Sequence, residues 1–262
     1  MSVPEDELLA VAHEAASAAA KELMSRFGGH VGGIRTKSTA TDPVSEADLA
    51  AEAEIRRVLG ARRPEDAILG EEGGATGDGA LRWIVDPLDG TVNFLFGIPQ
   101  FSVSVACQDA AGMVVGVVLD PVREETFAAT RSGPPTLNGQ KISGSSREDL
   151  ATALVATGFA YDAAVRAKQA VVMTRLLPRV RDIRRAGSAA LDLAWLSCGR
   201  YDAYYERGVN LWDYAAGALI ASRAGLSVRE LGAADDGPAG LAAAAPALMD
   251  PLLSLILDGA PA

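Results

Sequence analysis

The sequence predicts an α+β fold, one domain over 1–262 built from two unlike halves of about 1–145 and about 146–262. Two patterns and one length predict it. In the first half, two helical stretches are followed by successive short strands joined by tight turns, the pattern of an antiparallel meander. In the second half, strand and helix alternate instead. The chain has 262 residues, 49% of them apolar, which is enough for a sizeable shared core and excludes a disordered chain.

Glu5 to Arg26 is Ala-rich, with Leu8, Leu9, Val11, Ala15, Ala19 and Leu23 near helical spacing, and Gly28-Gly29 ends it. Ser45 with Asp48 three residues on is a capping-box pattern that opens a second helix through about Leu59. Ala67 to Gly70 is a short strand running into Glu71-Glu72-Gly73-Gly74, which reads as a loop. The apolar run Leu81 to Val85 is a short buried strand that ends in two carboxylates, Asp86 and Asp89, with Pro87 biasing Asp86 toward an extended conformation. Gly90-Thr91 turns into a helix. Phe101 to Cys107, Met113 to Leu119 and Glu125 to Thr130 are the meander, and Asn138-Gly139 is a hairpin turn.

Beyond that turn, Leu154 to Thr157 is a strand and Ala163 to Val180 a helix with Pro178 near its end. Asp182 to Arg185 is a strand, and Gly187-Ser188 opens a helix from Ala189 to Cys198. Asp202 to Glu206 is a strand, Trp212 to Ala224 a helix closed by Gly225, and Leu226 to Leu231 a strand. Gly232 to Gly240, rich in Asp and Gly, reads as a mobile surface loop. Ala242 to Ala245 is a last strand and Pro246 to Leu257 the last helix.

Composition narrows the function. A net charge of −10 argues against a nucleic-acid surface and admits an anionic substrate only if cations intervene. The two histidines, His13 and His30, both lie near the N-terminus, which argues against a His-rich metal site or a His-based triad. Cys107 and Cys198 sit among apolar residues and read as reduced, buried thiols. The N-terminus lacks a signal-peptide pattern and no apolar run is long enough for a bilayer, so the expectation is a cytoplasmic protein with no membrane partner.

Carboxylates at element ends carry the chemistry. Glu71, Asp86 and Asp89 follow or end strands, and Asp213 opens a helix after a strand and loop. Taken singly, each has a structural explanation: a solvated loop for Glu71, an Asx-type turn for Asp86 and Asp89, a helix cap for Asp213 and for Asp48. Lys37 alone is a surface lysine. Together, oxygen ligands without His or Cys favour Mg²⁺ over Zn²⁺, in a set suited to two or more ions. Gly187-Ser188-Ala189 opens a helix and so offers backbone groups to an anion or a polyol.

Two stretches carry a family resemblance: Trp83-Ile84-Val85-Asp86-Pro87-Leu88-Asp89-Gly90-Thr91-Val92-Asn93-Phe94, and Trp212-Asp213-Tyr214-Ala215-Ala216-Gly217-Ala218. Gly70-Glu71-Glu72-Gly73, Thr41-Asp42-Pro43-Val44 and Arg185-Ala186-Gly187-Ser188-Ala189-Ala190 match as well, in the same order. The chain resembles the inositol monophosphatase family of lithium-sensitive, Mg²⁺-dependent phosphomonoesterases, within it the bacterial inositol-1-monophosphatase branch.

The resemblance implies a layered αβαβα sandwich with the active site between the halves. It implies that Glu71, Asp86 and the Leu88 carbonyl hold one Mg²⁺, that Asp86, Asp89 and Asp213 hold a second, and that a third, weaker ion leans on Glu71. Thr91, bonded to Asp48, would act with Glu71 on the attacking water. Gly90 and Thr91 would receive the phosphate. Asp89, Gly187, Ser188, Ala189, Glu206 and Asp213 would contact the substrate, with Lys37 nearby on a mobile loop. The substrate implied is myo-inositol monophosphate, the inhibitor Li⁺, the assembly a homodimer. Sister activities toward histidinol phosphate, fructose 1,6-bisphosphate or a 3′-phosphoadenosine nucleotide are the alternative, and a non-catalytic regulatory protein on the same scaffold a more distant one.

Overall fold

The computed structural model describes residues 3–28, 35–36, 43–44, 46–234 and 237–257. The predicted Ser45 cap, Lys37 and most of Gly29 to Asp42 lie outside the described residues. In chain order the elements are α1 (Glu5–Arg26), β1 (Arg35–Thr36), β2 (Pro43–Val44), α2 (Glu46–Arg62), β3 (Ala67–Gly70), β4 (Gly74–Thr76), β5 (Arg82–Asp89), α3 (Thr91–Leu95), β6 (Ser102–Asp109), β7 (Gly112–Asp120) and β8 (Glu125–Thr130). There follow β9 (Thr136–Leu137), β10 (Gln140–Lys141), β11 (Leu154–Thr157), α4 (Ala163–Leu176), β12 (Asp182–Arg184), α5 (Ala189–Ser197), β13 (Ala203–Arg207), α6 (Leu211–Arg223), β14 (Ser227–Leu231), β15 (Gly240–Ala244) and α7 (Pro246–Leu257). No described helix is long and apolar enough to cross a membrane.

Five layers result. Helices α1 and α2 cover one face of an eight-stranded sheet ordered β10-β9-β8-β7-β6-β5-β3-β4. Helices α5 and α6 cover its other face and also pack on a five-stranded sheet, β12-β11-β13-β15-β14. Helices α4 and α7 close the far side of that second sheet. The predicted αβαβα sandwich is therefore the observed fold, and it answers the two-sided burial of the meander. Along β6, Val103, Val105 and Cys107 join the core under α1 and α2, while Ala106 joins the one under α5 and α6. Both faces are covered, so the alternation of larger and smaller residues does not mark a wet face. In the middle layer, α5 and α6 are apolar nearly all round because each meets a sheet on both sides.

Two departures from the sequence reading matter for the site. Strand β5 does not stop at Val85 but continues through Asp86-Pro87-Leu88 to Asp89, pairing with β6 across a register shift between Asp86 and Asp89. Proline is tolerated because such an irregularity leaves its missing N–H without a ladder role. Glu71 to Gly73 is a turn into β4, an edge strand of small residues without an apolar signal. Within the eight-stranded sheet, β3 and β5 are parallel neighbours, Gly70 opposite Val85, while the other pairings are antiparallel. Their carboxyl ends, with Glu71 and Asp86, therefore emerge side by side.

The middle layer fits its neighbours closely. A Cβ on Gly116 of β7 would lie 2.9 Å from the backbone of Ala216 in α6, and one on Gly217 would lie 2.6 Å from Leu193 of α5. Bare backbone at those two positions lets α6 settle onto both partners. Both cysteines are free, and burial pushes the Cys107 thiol up to about 12. In the Gly232 to Gly240 stretch, Ala234 and Gly237 form an isolated bridge, and residues 235–236 lie outside the described residues.

Candidate active site

A cavity of about 480 Å³ opens between the two halves, walled by Glu71, Asp86, Asp89 and Thr91 on one side and by Arg185, Glu206 and Asp213 on the other. Its first wall is built by α2, β3, β5 and α3. Asp48 is fully buried on α2, and the Thr91 hydroxyl faces its Oδ1 at 2.9 Å and the Leu88 carbonyl at 3.1 Å. One hydroxyl proton serves one acceptor at a time, so donation to Asp48 leaves the Leu88 carbonyl open. Asp86 turns one oxygen back to its own loop, accepting from the Leu88 N–H at 3.0 Å. Gly90, at φ 105°, makes the turn into α3 with no room for a side chain, since a Cβ would lie 2.9 Å from the Gln100 carbonyl. Phe94 anchors α3 from below, its ring 5.1 Å from Phe101 and 5.5 Å from Phe27.

The second wall comes from α5, β13 and α6. Asp213 is the third residue of α6 and accepts from the Asn210 N–H at 2.6 Å, so it is a cap and a cavity group at once. Glu206, on β13, accepts from the Tyr204 hydroxyl at 3.1 Å and presses against the Gly158 backbone, where any Cβ would collide with its carboxylate. The walls are laced together. Asp89 of the first caps α5 of the second, accepting from Ser188 Oγ at 2.6 Å, Ala190 N at 2.7 Å and Ala189 N at 3.2 Å. Asn93 Nδ2 donates to the Ala186 carbonyl at 2.9 Å, and Ser104 Oγ to the Trp212 carbonyl at 3.2 Å.

Carboxylate oxygens of Glu71, Asp86 and Asp213 lie within 4.8 Å of one another. Such packing is electrostatically costly. Burial, then the neighbouring charges of Glu71 and Asp89, pushes both Asp86 and Asp213 well above the ordinary carboxylate range. Burial raises Asp89 to about 6 against the pull of Ser188 and the α5 amides, and raises Glu206 to about 7 against the pull of Arg185. A group of crowded oxygens from two halves, held against their own repulsion, fits a hard divalent cation.

Of the residues singled out in the sequence, Glu71, Asp86, Leu88, Asp89, Gly90, Thr91, Gly187, Ala189, Glu206 and Asp213 all line the cavity. Ser188 and Asp48 stand behind it as partners of Asp89 and Thr91. Of the Gly187-Ser188-Ala189 backbone groups read from sequence as open to an anion or a polyol, the Ala189 amide is engaged by Asp89, as is that of Ala190 beyond it. The sequence reading missed the aromatic lining of Phe159, Tyr161 and Trp212, the cation Arg185, and Asn93 as a strut between the walls. Asn93 was in the motif, where its place after a turn and helix start was the available signal.

The model of the "Inositol monophosphatase family" matches residues 5–253. The chain belongs to the inositol monophosphatase family. Its relatives include an inositol-1-monophosphatase of Mycobacterium bovis, 43% identical over 89% of this chain and 84% of that protein. They also include a Nus factor SuhB of Pseudomonas aeruginosa, 45% identical over 71% of each. Among solved structures, the extragenic suppressor protein suhB of Bartonella henselae superposes with a TM-score of 0.89 at 33% identity, over 97% of this chain and 99% of that one. Membership supports a phosphatase. The inositol monophosphatase family uses metal ions, and the converging carboxylates give this member a place for one.

Proposed function

We propose that the protein is a Mg²⁺-dependent phosphomonoesterase that hydrolyses myo-inositol monophosphate or a closely related small polyol phosphate. The observation that carries this reading is the meeting of Glu71, Asp86 and Asp213 beside the buried Thr91–Asp48 pair on one cavity wall. Glu71, Asp86, Asp213 and the Leu88 carbonyl would hold the metal, with Asp89 adding whatever lone pairs α5 leaves it. A bound divalent cation supplies charge neutralisation at the phosphoryl oxygens and acidifies water. This chain's own groups then do the positioning. Thr91 donates its hydroxyl hydrogen bond to Asp48, so Thr91 Oγ1 presents a lone pair to the attacking water while Glu71 accepts from the same water. The N–H groups of Gly90 and Thr91 face the phosphate at the α3 start. Asp89 does not reach for substrate freely; it fixes α5, and with it Gly187 to Ala189, against the polyol side. Glu206 meets a hydroxyl of the leaving alcohol. With a carboxyl raised to about 7, it is suited to donate as well as accept near neutrality.

Free cysteines support a reducing, cytoplasmic setting, and Phe96, 77% exposed beside exposed Ile98, supports a homodimer. A second reading, a regulatory partner protein, draws on the relative named Nus factor SuhB. Retention of the whole carboxylate set supports catalysis instead.

The test is a panel of inositol 1-phosphate, histidinol phosphate, fructose 1,6-bisphosphate and 3′-phosphoadenosine 5′-phosphate with Mg²⁺, scored by phosphate release. Inositol phosphate is expected to give the highest kcat/KM, with Li⁺ inhibiting at millimolar order. A tenfold preference for histidinol phosphate overturns the substrate, and absence of hydrolysis of all four overturns the reading.

A further inference from the structure

Glu52 is a buried carboxylate that the scheme above does not use. It lies on α2 one turn beyond Asp48, on the same inward face, and is 3% exposed. A charge is expensive to bury, and an apolar residue would fill an α2 core position at less cost. Its oxygens account for the expense. Oε2 accepts from the Glu72 N–H at 2.8 Å and Oε1 from the Gly73 N–H at 2.9 Å. Arg56, the next turn of α2, donates Nε to the same Oε1 at 2.7 Å. Its other nitrogens reach the Gly74 carbonyl at 2.8 Å and Thr76 Oγ1 at 3.0 Å.

One ion pair therefore grips the turn that follows Glu71 from its first amide to β4. The approach is close on both sides. A Cβ on Gly70 would collide with the Glu52 carboxylate, and one on Gly73 would lie 2.6 Å from it. Glycines flank Glu71-Glu72 because the carboxylate needs that space.

We propose that Glu52, locked by Arg56, is a positioning residue that aims Glu71 into the carboxylate set. The proposal rests on the metal-dependent reading given above. Charge-assisted bonds to the two amides after Glu71 fix the peptide planes from which its side chain departs. Asp48 and Glu52 then divide one task along one helix face: Asp48 holds Thr91 after β5, and Glu52 holds Glu71 after the parallel strand β3. Groups that hold metal ligands in place typically change metal affinity by about 10–100-fold when replaced.

Glu52→Gln keeps the volume but turns an NH₂ group toward one of two N–H donors, so one bond must open. Two readouts on the metal-free protein test it: Mn²⁺ titration, and amide exchange at Glu72 and Gly73. The expected result is Mn²⁺ binding about 10-fold weaker, with faster exchange at those two amides and unchanged protection in β6. At saturating metal, kcat falls while KM for the phosphate ester holds. Should Glu52→Gln not fold, Arg56→Lys keeps the carboxylate, gives up the reach to Gly74 and Thr76, and is expected to weaken Mn²⁺ severalfold. Glu54→Gln, on the exposed side of α2, is the control and leaves both readouts at wild-type values. Wild-type Mn²⁺ affinity and wild-type protection at Glu72 and Gly73 in either clamp variant overturn the positioning role alone. Failure of the wild-type protein itself to bind Mn²⁺ overturns the metal reading, and this proposal with it.

Discussion

The two walls of the cavity handle buried acids in opposite ways. On the first wall each inward carboxylate behind the site has dedicated donors: Asp48 has the Thr91 hydroxyl, Glu52 two amides and an arginine, Asp89 a helix start. Behind the second wall Asp192, 1% exposed on α5, has an oxygen with no hydrogen-bond partner, and on the wall itself Glu206 leans on Tyr204 and a bare glycine. Burial, then the charge of Glu206, pushes Asp192 well above the ordinary range. The first wall is pinned; the second is left polar and under-satisfied. Pinning suits groups that must meet a reacting phosphate in one geometry. The contrast separates acids held by dedicated donors from acids left short of them, although both walls send a carboxylate to the converging set, Asp86 from the first and Asp213 from the second.

The contrast breaks first, and most widely, at Asp86. Asp86→Asn is expected to lower kcat/KM by at least about 10³-fold, while circular dichroism shows an intact fold and the metal-free protein melts higher, since one of several repelling charges is gone. Wild-type rates in this variant would end the metal assignment. Next comes Thr91→Ala, which removes the hydroxyl between Asp48 and the water. A loss of about 10²-fold in kcat with little change in KM is expected, largely restored by Thr91→Ser. An equal loss in Thr91→Ser would show that packing, not the hydroxyl, matters there.

On the second wall, Glu206→Gln is expected to shift the ratio of kcat/KM between inositol phosphate and fructose 1,6-bisphosphate by about tenfold, the discrimination one lost polar contact carries, while phosphate release from the better substrate persists. The same variant has a pH signature. Below pH 4.5 the group is protonated folded or unfolded and contributes no difference. Between there and about 7 the unfolded chain loses the proton while the folded protein keeps it, so stability falls as pH rises. Metal-free Glu206→Gln and wild type should therefore melt alike near pH 4.5 and diverge by pH 8 in favour of Gln, by a few kcal/mol at ~1.4 kcal/mol per pKa unit. Parallel melting curves would place Glu206 in a wetter setting than its burial indicates. The smallest effect is expected at the joint between the walls: Asn93→Ala gives up bonds to Gln100 and Ala186 and should cost about 1–2 kcal/mol in denaturant unfolding.

Much of this was legible in the sequence, and the reasons differ by region. Alternation and turn residues announced several elements, so β11 and α7 of the second half and the Asn138-Gly139 hairpin of the first fall where they were read. Strand β5 outran its reading because Asp86 and Asp89 look like loop residues until β6 pairs with them. The site's carboxylates were visible as acids at element ends, and the family resemblance gathered them. Glu52 was not visible, because a glutamate inside a helix looks solvated until the turn after Glu71 folds back onto it. Nor was the engagement of α5 by Asp89, which joins residues a hundred positions apart.

The seam at Gly116 and Ala216 has a consequence for how such a protein tolerates change over generations. Asp213 is carried by α6 one turn before that contact, so the depth of the helix sets the reach of the carboxylate. A single methyl at Gly116 would press on the Ala216 backbone and push α6, with Asp213 on it, out of its present depth without changing any acid. In a library of random variants, that uncharged position on β7 should be as intolerant as Asp86 itself.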